Sequence, residues 1–244
     1  MLKDTTFMEG RMRSKGDVSK MFNAISPTYD RANRIMSLGI DQYWRKKVAQ
    51  FLPKKEKIAL LDCATGTGDQ IFSLMKKSKR VHQVIGVDMA SEMLRVGKKK
   101  LKTKPYAHKV TLKQACMSSL PFVDNSFDCA TISFGIRNAA DVPKCLREIH
   151  RVLAPKGRIL ILEFSLPKNR QLKAAHLFYL RHFIPKIGGW LSKDKSAYTY
   201  LQETIETFPY GQGFCTLLQE AGFVNVKAHP LTFGVVTLYQ ALRP

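Results

Sequence analysis

Residues 62–69 read D-C-A-T-G-T-G-D, between the apolar run I-A-L-L at 58–61 and a stretch of helical character at 70–77. Strand, glycine-rich turn and helix, in that order, form a cradle for a ligand. Gly66 and Gly68 let the backbone pass close to a bound group, and the new helix points its free N–H groups at it. The dinucleotide fingerprint G-x-G-x-x-G requires a third glycine at position 71, where Ile71 stands. That glycine serves close helix–strand packing at a pyrophosphate site. Its replacement points to a nucleoside without a diphosphate, and S-adenosylmethionine is the leading candidate.

Further along, H-Q-V-I-G-V at 82–87 reads as a second strand and ends at Asp88, twenty-two residues beyond Gly66. In doubly wound folds an acidic residue about this far on, at the tip of the second strand, accepts hydrogen bonds from ribose hydroxyls. Asp88 is assigned to that task, with Met89 beside it. The structural alternative is a corner turned by two glycines and a helix near Ser91 capped by Asp88. The two features at this spacing together favour the nucleoside.

The rest of the chain alternates in the same way. Strands are expected at 58–62, 82–87, 110–114, 128–133 and 158–164, with helices at 69–78, 91–103 and 141–153. Pro143 falls in the first turn of the last helix, where its missing N–H costs nothing. This predicts a mainly parallel sheet with helices on both faces and a ligand outside the carboxyl ends of its strands. Ahead of it, helices at 18–26 and 41–52, joined by a polar segment at 29–37, make a helical cap over residues 1–55. The main unit then covers 56–244. Within it, the aromatic and aliphatic stretch 172–191, broken by Pro185 and Gly188-Gly189, belongs to a substrate lid expected at 166–207. A helix at 211–221 ends at Gly222, a C-cap position, and strands at 224–227 and 231–242 follow with a turn between them.

Composition narrows the classes. The 244 residues are 45% apolar and 24% charged, ordinary globular usage with enough length for a sizeable core. Five cysteines without a C-x-x-C pair read as reduced thiols in a cytoplasm, neither a disulfide frame nor a metal site; Cys63, Cys129 and Cys145 are expected to be buried. The opening M-L-K-D-T-T-F-M-E-G lacks the apolar core of a secretory leader, and no run approaches the roughly twenty apolar residues of a membrane span. The expected location is cytoplasmic, with peripheral contact at the inner membrane face. Net charge is +21, from forty basic and nineteen acidic residues, which suits nucleic acid, an anionic membrane or a basic proteome. The basic clusters at 54–57, 76–80 and 98–104 fall at helix ends or in the loops after them. Cations there favour the helix dipole, so solvated faces are expected.

Beyond these patterns, the chain resembles the ubiquinone/menaquinone-biosynthesis C-methyltransferases (the UbiE/MenG type) over nearly its whole length. One family signature opens Y-D-x-M-N, continues to a serine and closes H-x-x-W. Here it reads Tyr29-Asp30-Arg31-Ala32-Asn33-Arg34-Ile35-Met36-Ser37, then Asp41-Gln42-Tyr43-Trp44. The other, R-V-L-K-P-G-G before an apolar strand and E-x-S, is met by Arg151-Val152-Leu153-Ala154-Pro155-Lys156-Gly157 and Glu163-Phe164-Ser165. Ser133-Phe134-Gly135-Ile136-Arg137-Asn138 and Tyr198-x-Tyr200-Leu201 match as well. Ala32, Asp41, Ala154 and Lys156 depart from the signatures, and Cys116 stands where relatives carry Asp or Asn beside the adenine.

The resemblance implies a class I S-adenosylmethionine-dependent methyltransferase, Rossmann-like, with a seven-stranded mainly parallel sheet whose last strand is antiparallel. It implies methyl transfer to a ring carbon of a reduced polyprenyl quinone, either demethylmenaquinol or the ubiquinone precursor. Gly66, Thr67 and Gly68 would line the methionine portion, Asp62 would hold its ammonium directly or through water, and Cys116 and Met117 would flank the adenine. Ser133 matches a family cofactor contact. Arg137, always charged, would stabilise a phenolate or polarise a water, with Asn138 and Tyr29 as hydrogen-bond partners of the quinol oxygens. The competing structural role for Arg137 is an ion pair with Asp141. The implied partners are a polyprenyl quinol and an anionic membrane, with Lys173, Arg181 and Lys186 toward headgroups; a second copy of the chain is admitted but not required.

Three rivals carry different consequences. A small-molecule O- or N-methyltransferase keeps the fold and changes the acceptor. An RNA or DNA methyltransferase would suit the charge, but no N-P-P-Y clamp follows the fourth strand, no Pro-Cys pair offers an attacking thiol and no stacking platform is visible. No nucleic acid is therefore expected. A lipid-binding protein with a vestigial cofactor fold would not need residues 62–69 and Asp88 intact.

Overall fold

The computed structural model describes residues 15–192 and 195–244. The opening Met1–Gly10 stretch, read above as lacking a leader, lies outside them. Seven strands form one sheet: β1 (Ile58–Cys63), β2 (Val81–Asp88), β3 (Val110–Gln114), β4 (Phe127–Ser133), β5 (Leu153–Phe164), β6 (Val224–Leu231) and β7 (Val236–Leu242). Their order is β3-β2-β1-β4-β5-β7-β6, parallel through β5, with β7 antiparallel to both its neighbours. Strand order reverses between β1 and β4, so a crevice opens above their carboxyl ends, as the topology rule for such sheets requires.

The helices in chain order are α1 (Lys15–Ile25), α2 (Tyr29–Met36), α3 (Ile40–Val48), α4 (Asp69–Lys77), α5 (Ser91–Leu101), α6 (Val142–Val152), α7 (Arg170–His182), α8 (Ile184–Ser192), α9 (Lys195–Thr207) and α10 (Gln212–Glu220). Apolar spacing decides which face each one buries. In α6, Val142, Cys145, Leu146, Ile149 and Val152 are all buried, at the offsets of a single helical stripe. Asp141 caps that helix by accepting from Lys144 N at 2.8 Å. One core packs α6 and α10 on one side of the sheet; a second packs α3, α4 and α5 on the other. A third cluster, including Met21, Ile25, Ala32, Leu180, Ile184 and Ala197, joins the N-terminal helices to α7–α9. Those two segments, far apart in sequence, share one apolar roof.

The structure corrects four expectations. Residues 29–37 are not a polar linker but helix α2, whose apolar face is masked in sequence by Asp30, Arg31 and Arg34. Strand β5 starts at Leu153, five residues earlier than expected. The final turn lies at 232–234, not at 228–230, so Pro230 sits inside β6. β6 is an edge strand, where a residue without an N–H is tolerated. Lys100 is not on a solvated face: its ammonium bonds Asp30 at 2.8 Å and Asp69 at 2.5 Å, with Thr67 Oγ1 at 3.2 Å.

Candidate functional site

Above β1 the backbone turns through three left-handed residues, Ala64 (φ 51°), Gly66 (φ 56°) and Gly68 (φ 86°). Gly68 begins α4, and a Cβ there would lie 3.0 Å from the Phe72 ring. Above β4, Phe134 is also left-handed (φ 60°), and Gly135 follows it. A Cβ on Gly135 would meet the Ala64 Cβ at 2.5 Å, so the two turns approach closely only because position 135 lacks a side chain.

Asp88 braces this junction. Its carboxylate accepts from Gly66 N at 2.7 Å and from Ala90 N at 2.8 Å. The first bond ties the tip of β2 to the glycine turn; the second closes a local turn onto Ala90, the residue that precedes α5, and α5 has no side-chain cap, so the capping role weighed for Asp88 is not found. Burial pushes Asp88 above the usual carboxylate range, against these backbone bonds. Asp62, on the last turn of β1, is 1% exposed and accepts only from the Thr65 and Thr131 hydroxyls, at 2.6 and 2.5 Å. Burial pushes it up to about 6. Among the described residues it has no ion-pair partner.

Three cavities converge here. A cavity of about 110 Å³ is lined by Gly66, Asp88, Met89, Cys116, Met117 and Ser133, among others. It collects six of the residues expected to hold the donor, and α1 covers it: Ser19 donates to Met89 O at 3.2 Å, and Asn23 Oδ1 accepts from Glu92 N at 2.9 Å. Next to it a small polar pocket of about 20 Å³ is lined by Asp62, Gly66, Thr67, Gln70, Ser133 and Arg45. Gly68 lines neither; its place in the chain follows from the turn. Cys116 Sγ lies 3.1 Å from Ser118 Oγ.

The third cavity, about 330 Å³, is walled mainly by apolar side chains of α1, α2 and α7–α9. Arg137, Asn138 and Tyr29 lie on its floor. Tyr29, Phe134 and Asn138 also line the 110 Å³ cavity, so they form a shared wall between the two. Arg137 does not pair with Asp141. Its Nη1 donates to Glu163 Oε1 at 2.7 Å and to Phe134 O at 2.8 Å, its Nε reaches Thr204 Oγ1 at 3.3 Å, and its guanidinium lies 5.2 Å over the Phe164 ring. Both ends of the Arg137–Glu163 pair are buried. Asn138 Oδ1 is a buried acceptor with no partner among the described residues. Desolvation holds the Tyr29 phenol above its usual range, so it stays protonated at neutral pH.

Three residues of this region escaped sequence reasoning, Glu163 behind the walls and Arg45 and His176 on them. Glu163 lay inside a quoted motif, yet its role as the counter-ion of Arg137 needs a contact twenty-six positions away. Arg45 follows Trp44 directly, but nothing in one chain marks which of forty basic residues is buried. His176, in the apolar stretch of α7, lines the 330 Å³ cavity with Nε2 buried and without a partner among the described residues, and burial lowers its pKa so that it is neutral at pH 7. A histidine among aromatic residues at 172–191 was the available signal.

The model of the ubiE/COQ5 methyltransferase family matches residues 9–243. The chain is 39% identical over 230 residues to the ubiquinone/menaquinone biosynthesis C-methyltransferase UbiE of Geotalea uraniireducens, covering 94% of this chain and 97% of that one. It is 40% identical to the demethylmenaquinone methyltransferase of Bacteroides fragilis, over 93% of this chain and 92% of the relative. Among solved structures, a SAM-dependent methyltransferase from Aquifex aeolicus superposes with a TM-score of 0.62 at 17% identity, covering 87% of this chain and 98% of that one. That likeness carries the fold alone.

Proposed function

The chain belongs to the ubiE/COQ5 methyltransferase family, and on that premise we propose that it transfers a methyl group from S-adenosylmethionine to a ring carbon of a reduced polyprenyl quinone. The observation that carries this reading is the wall shared by two adjoining cavities. One is bordered by Asp88 and the glycine turn, the other by apolar side chains of α1, α2 and α7–α9, and Tyr29, Phe134 and Asn138 border both.

The residues present fit the donor. Asp88 retains lone pairs for ribose hydroxyls, Met117 and Cys116 flank the space for an adenine, Met89 and Ser133 complete its walls, and Gly66 and Thr67 border the methionine end. Asp62, buried without a cation, suits an ammonium group. When bound, the donor supplies an electrophilic methyl on a sulfonium. The protein's work is to hold an electron-rich acceptor carbon in line with that methyl, about 3–3.5 Å away, and to exclude water.

On the acceptor side, Asn138 Oδ1 accepts a quinol hydroxyl, which resolves its buried, unpartnered state. Tyr29, kept protonated by burial, donates to a quinol oxygen. Arg137, held by Glu163 and Phe134 O, faces the oxygen that loses its proton and stabilises the phenolate that makes the neighbouring carbon nucleophilic. The isoprenoid tail follows the apolar walls toward Leu38, on the turn between α2 and α3. That rim supports peripheral contact with an anionic membrane. Leu38 and Phe233 are 85% and 83% exposed, and Ile40, Tyr43 and Lys47 form one outward stripe of α3 with the Lys47 ammonium 5.4 Å over the Tyr43 ring. Among the described residues no helix is long and apolar enough to cross a membrane. Arg181, half exposed, pairs with Glu206 at 2.5 Å.

The test is direct. Purified protein given methyl-labelled S-adenosylmethionine and either a demethylated polyprenyl naphthoquinol or the corresponding methoxy-benzoquinol should yield a product one methyl heavier by mass spectrometry. Label remaining entirely in the donor with both acceptors, while calorimetry shows the donor bound, would remove the proposal.

A further inference from the structure

Two opposite charges in the small polar pocket have no hydrogen-bonded counter-ion among the described residues. Asp62 is bonded only to hydroxyls. Arg45, from α3, is 7% exposed; its Nε makes no hydrogen bond, and its nearest carboxylate, Asp41, is 3.8 Å away. Asp41 is already engaged by Arg34 and by the Ser37 hydroxyl at 3.0 Å. The other acids on the pocket wall are also taken. Lys100 and Thr67 bond Asp30, while Lys100 and Arg34 bond Asp69. Arg45 is the one cation among the described residues that line this pocket. A buried guanidinium without a bonded anion is costly, and such a group persists where a ligand supplies the anion.

We infer that Arg45 binds the carboxylate of the donor's methionine end, an inference that rests on the reading of this pocket as the methionine subsite. The pocket then offers a zwitterion its two complements, a carboxylate for the ammonium and a planar fork for the carboxylate. The fork is held in place before any ligand arrives. Its guanidinium lies 5.1 Å over the Phe134 ring, and the Arg45 carbonyl accepts from Gln70 Nε2 at 3.3 Å. Gln70 in turn accepts from Ser133 Oγ at 3.0 Å, which ties α3 to the tip of β4. Phe134 and Phe164 pack at 4.7 Å, with Arg137 over the second ring. The donor's anchor and the acceptor's cation thus brace one aromatic pair.

Arg45 also lines the large cavity, where a quinol oxyanion would occupy the same fork. Calorimetry separates the two. The wild-type protein should bind S-adenosylmethionine about 10- to 100-fold more tightly than its decarboxylated analogue, the scale of a lost charge-assisted hydrogen bond. Arg45→Gln should abolish that preference by weakening the first donor and leaving the second within about threefold; Arg45→Lys should restore part of it. Equal affinity of the wild-type protein for both donors overturns the inference without any variant. So does an Arg45→Gln protein that keeps the preference and shows only a raised KM for the quinol. Failure of the wild-type protein to bind either donor overturns the methionine-subsite reading itself.

Discussion

At the residue scale, the site holds charges that the protein alone would be more stable without. Asp62 is raised to about 6 by burial, so the folded protein binds its proton more tightly than the unfolded chain does. Stability of the ligand-free protein therefore falls as pH rises from about 4 to about 6, and the full cost, on the order of 3 kcal/mol, remains above that window. Asp62→Asn should raise the thermal midpoint at pH 8 while weakening S-adenosylmethionine at least about tenfold, which calorimetry and thermal denaturation read together. By the same sign, donor affinity of the native protein should fall as pH drops through 6, because a neutral Asp62 cannot pair an ammonium. Arg137 should behave differently. Arg137→Ala should keep the donor's Kd within about threefold and lower kcat by about 100-fold or more, the scale of a lost oxyanion donor. Normal turnover in that variant would end the assignment.

At the scale of elements, Arg137, the cation we propose for the acceptor, is fixed by the end of β5. Glu163 is 1% exposed and bonds the Arg137 guanidinium and the Phe164 N–H. Glu163→Ala strands a buried guanidinium and should destabilise the fold by about 3–5 kcal/mol in urea titration, whereas Glu163→Gln, which keeps the acceptor oxygen, should lose less. A second tie acts on α2. Asp30 accepts from Thr67 and Lys100, and Arg34 reaches Asp69, so the helix that supplies Tyr29 is bound to α4 and α5 by charge. Helix α2 thereby joins the glycine turn to the 330 Å³ cavity. It was the element sequence reasoning mistook for a linker.

At the scale of the whole molecule, the proposed membrane contact rests on the exposed apolar rim, in a chain of net charge +21. Leu38 (φ 50°) and Phe233 (φ 57°) are large side chains in left-handed turns, conformations disfavoured for residues with a Cβ. Both turns flank the mouth of the apolar cavity, through Ser37 and Ile40 on one side and Thr232 and Val235 on the other. In sedimentation with vesicles, the protein should bind those rich in anionic lipid over neutral ones, and Leu38→Asp with Phe233→Asp should cut that binding about tenfold or more without moving the thermal midpoint by more than a degree or two. Undiminished binding by the double variant would move any contact elsewhere. One chain supplies the described lining of all three cavities, so no second copy is required for chemistry.

The alternation of strands and helices, the glycine turn at 62–69 and the spacing to Asp88 were legible in the chain, because each depends on residues close in sequence and on backbone rules that apply locally. The motif from Ser133 to Asn138 was legible only through the family resemblance, and the cap that Asp141 gives α6 became visible only in the structure. What only the tertiary structure decided is who stands opposite whom. Arg137 found Glu163 instead of Asp141, Arg45 came to lie under the donor's turn, and His176 entered a cavity assembled from two ends of the chain. Those partnerships arise when sheet order reverses between β1 and β4 and when apolar faces from α1–α2 and α7–α9 close over the opening. Burial, not spacing, then sets which charges are free to act.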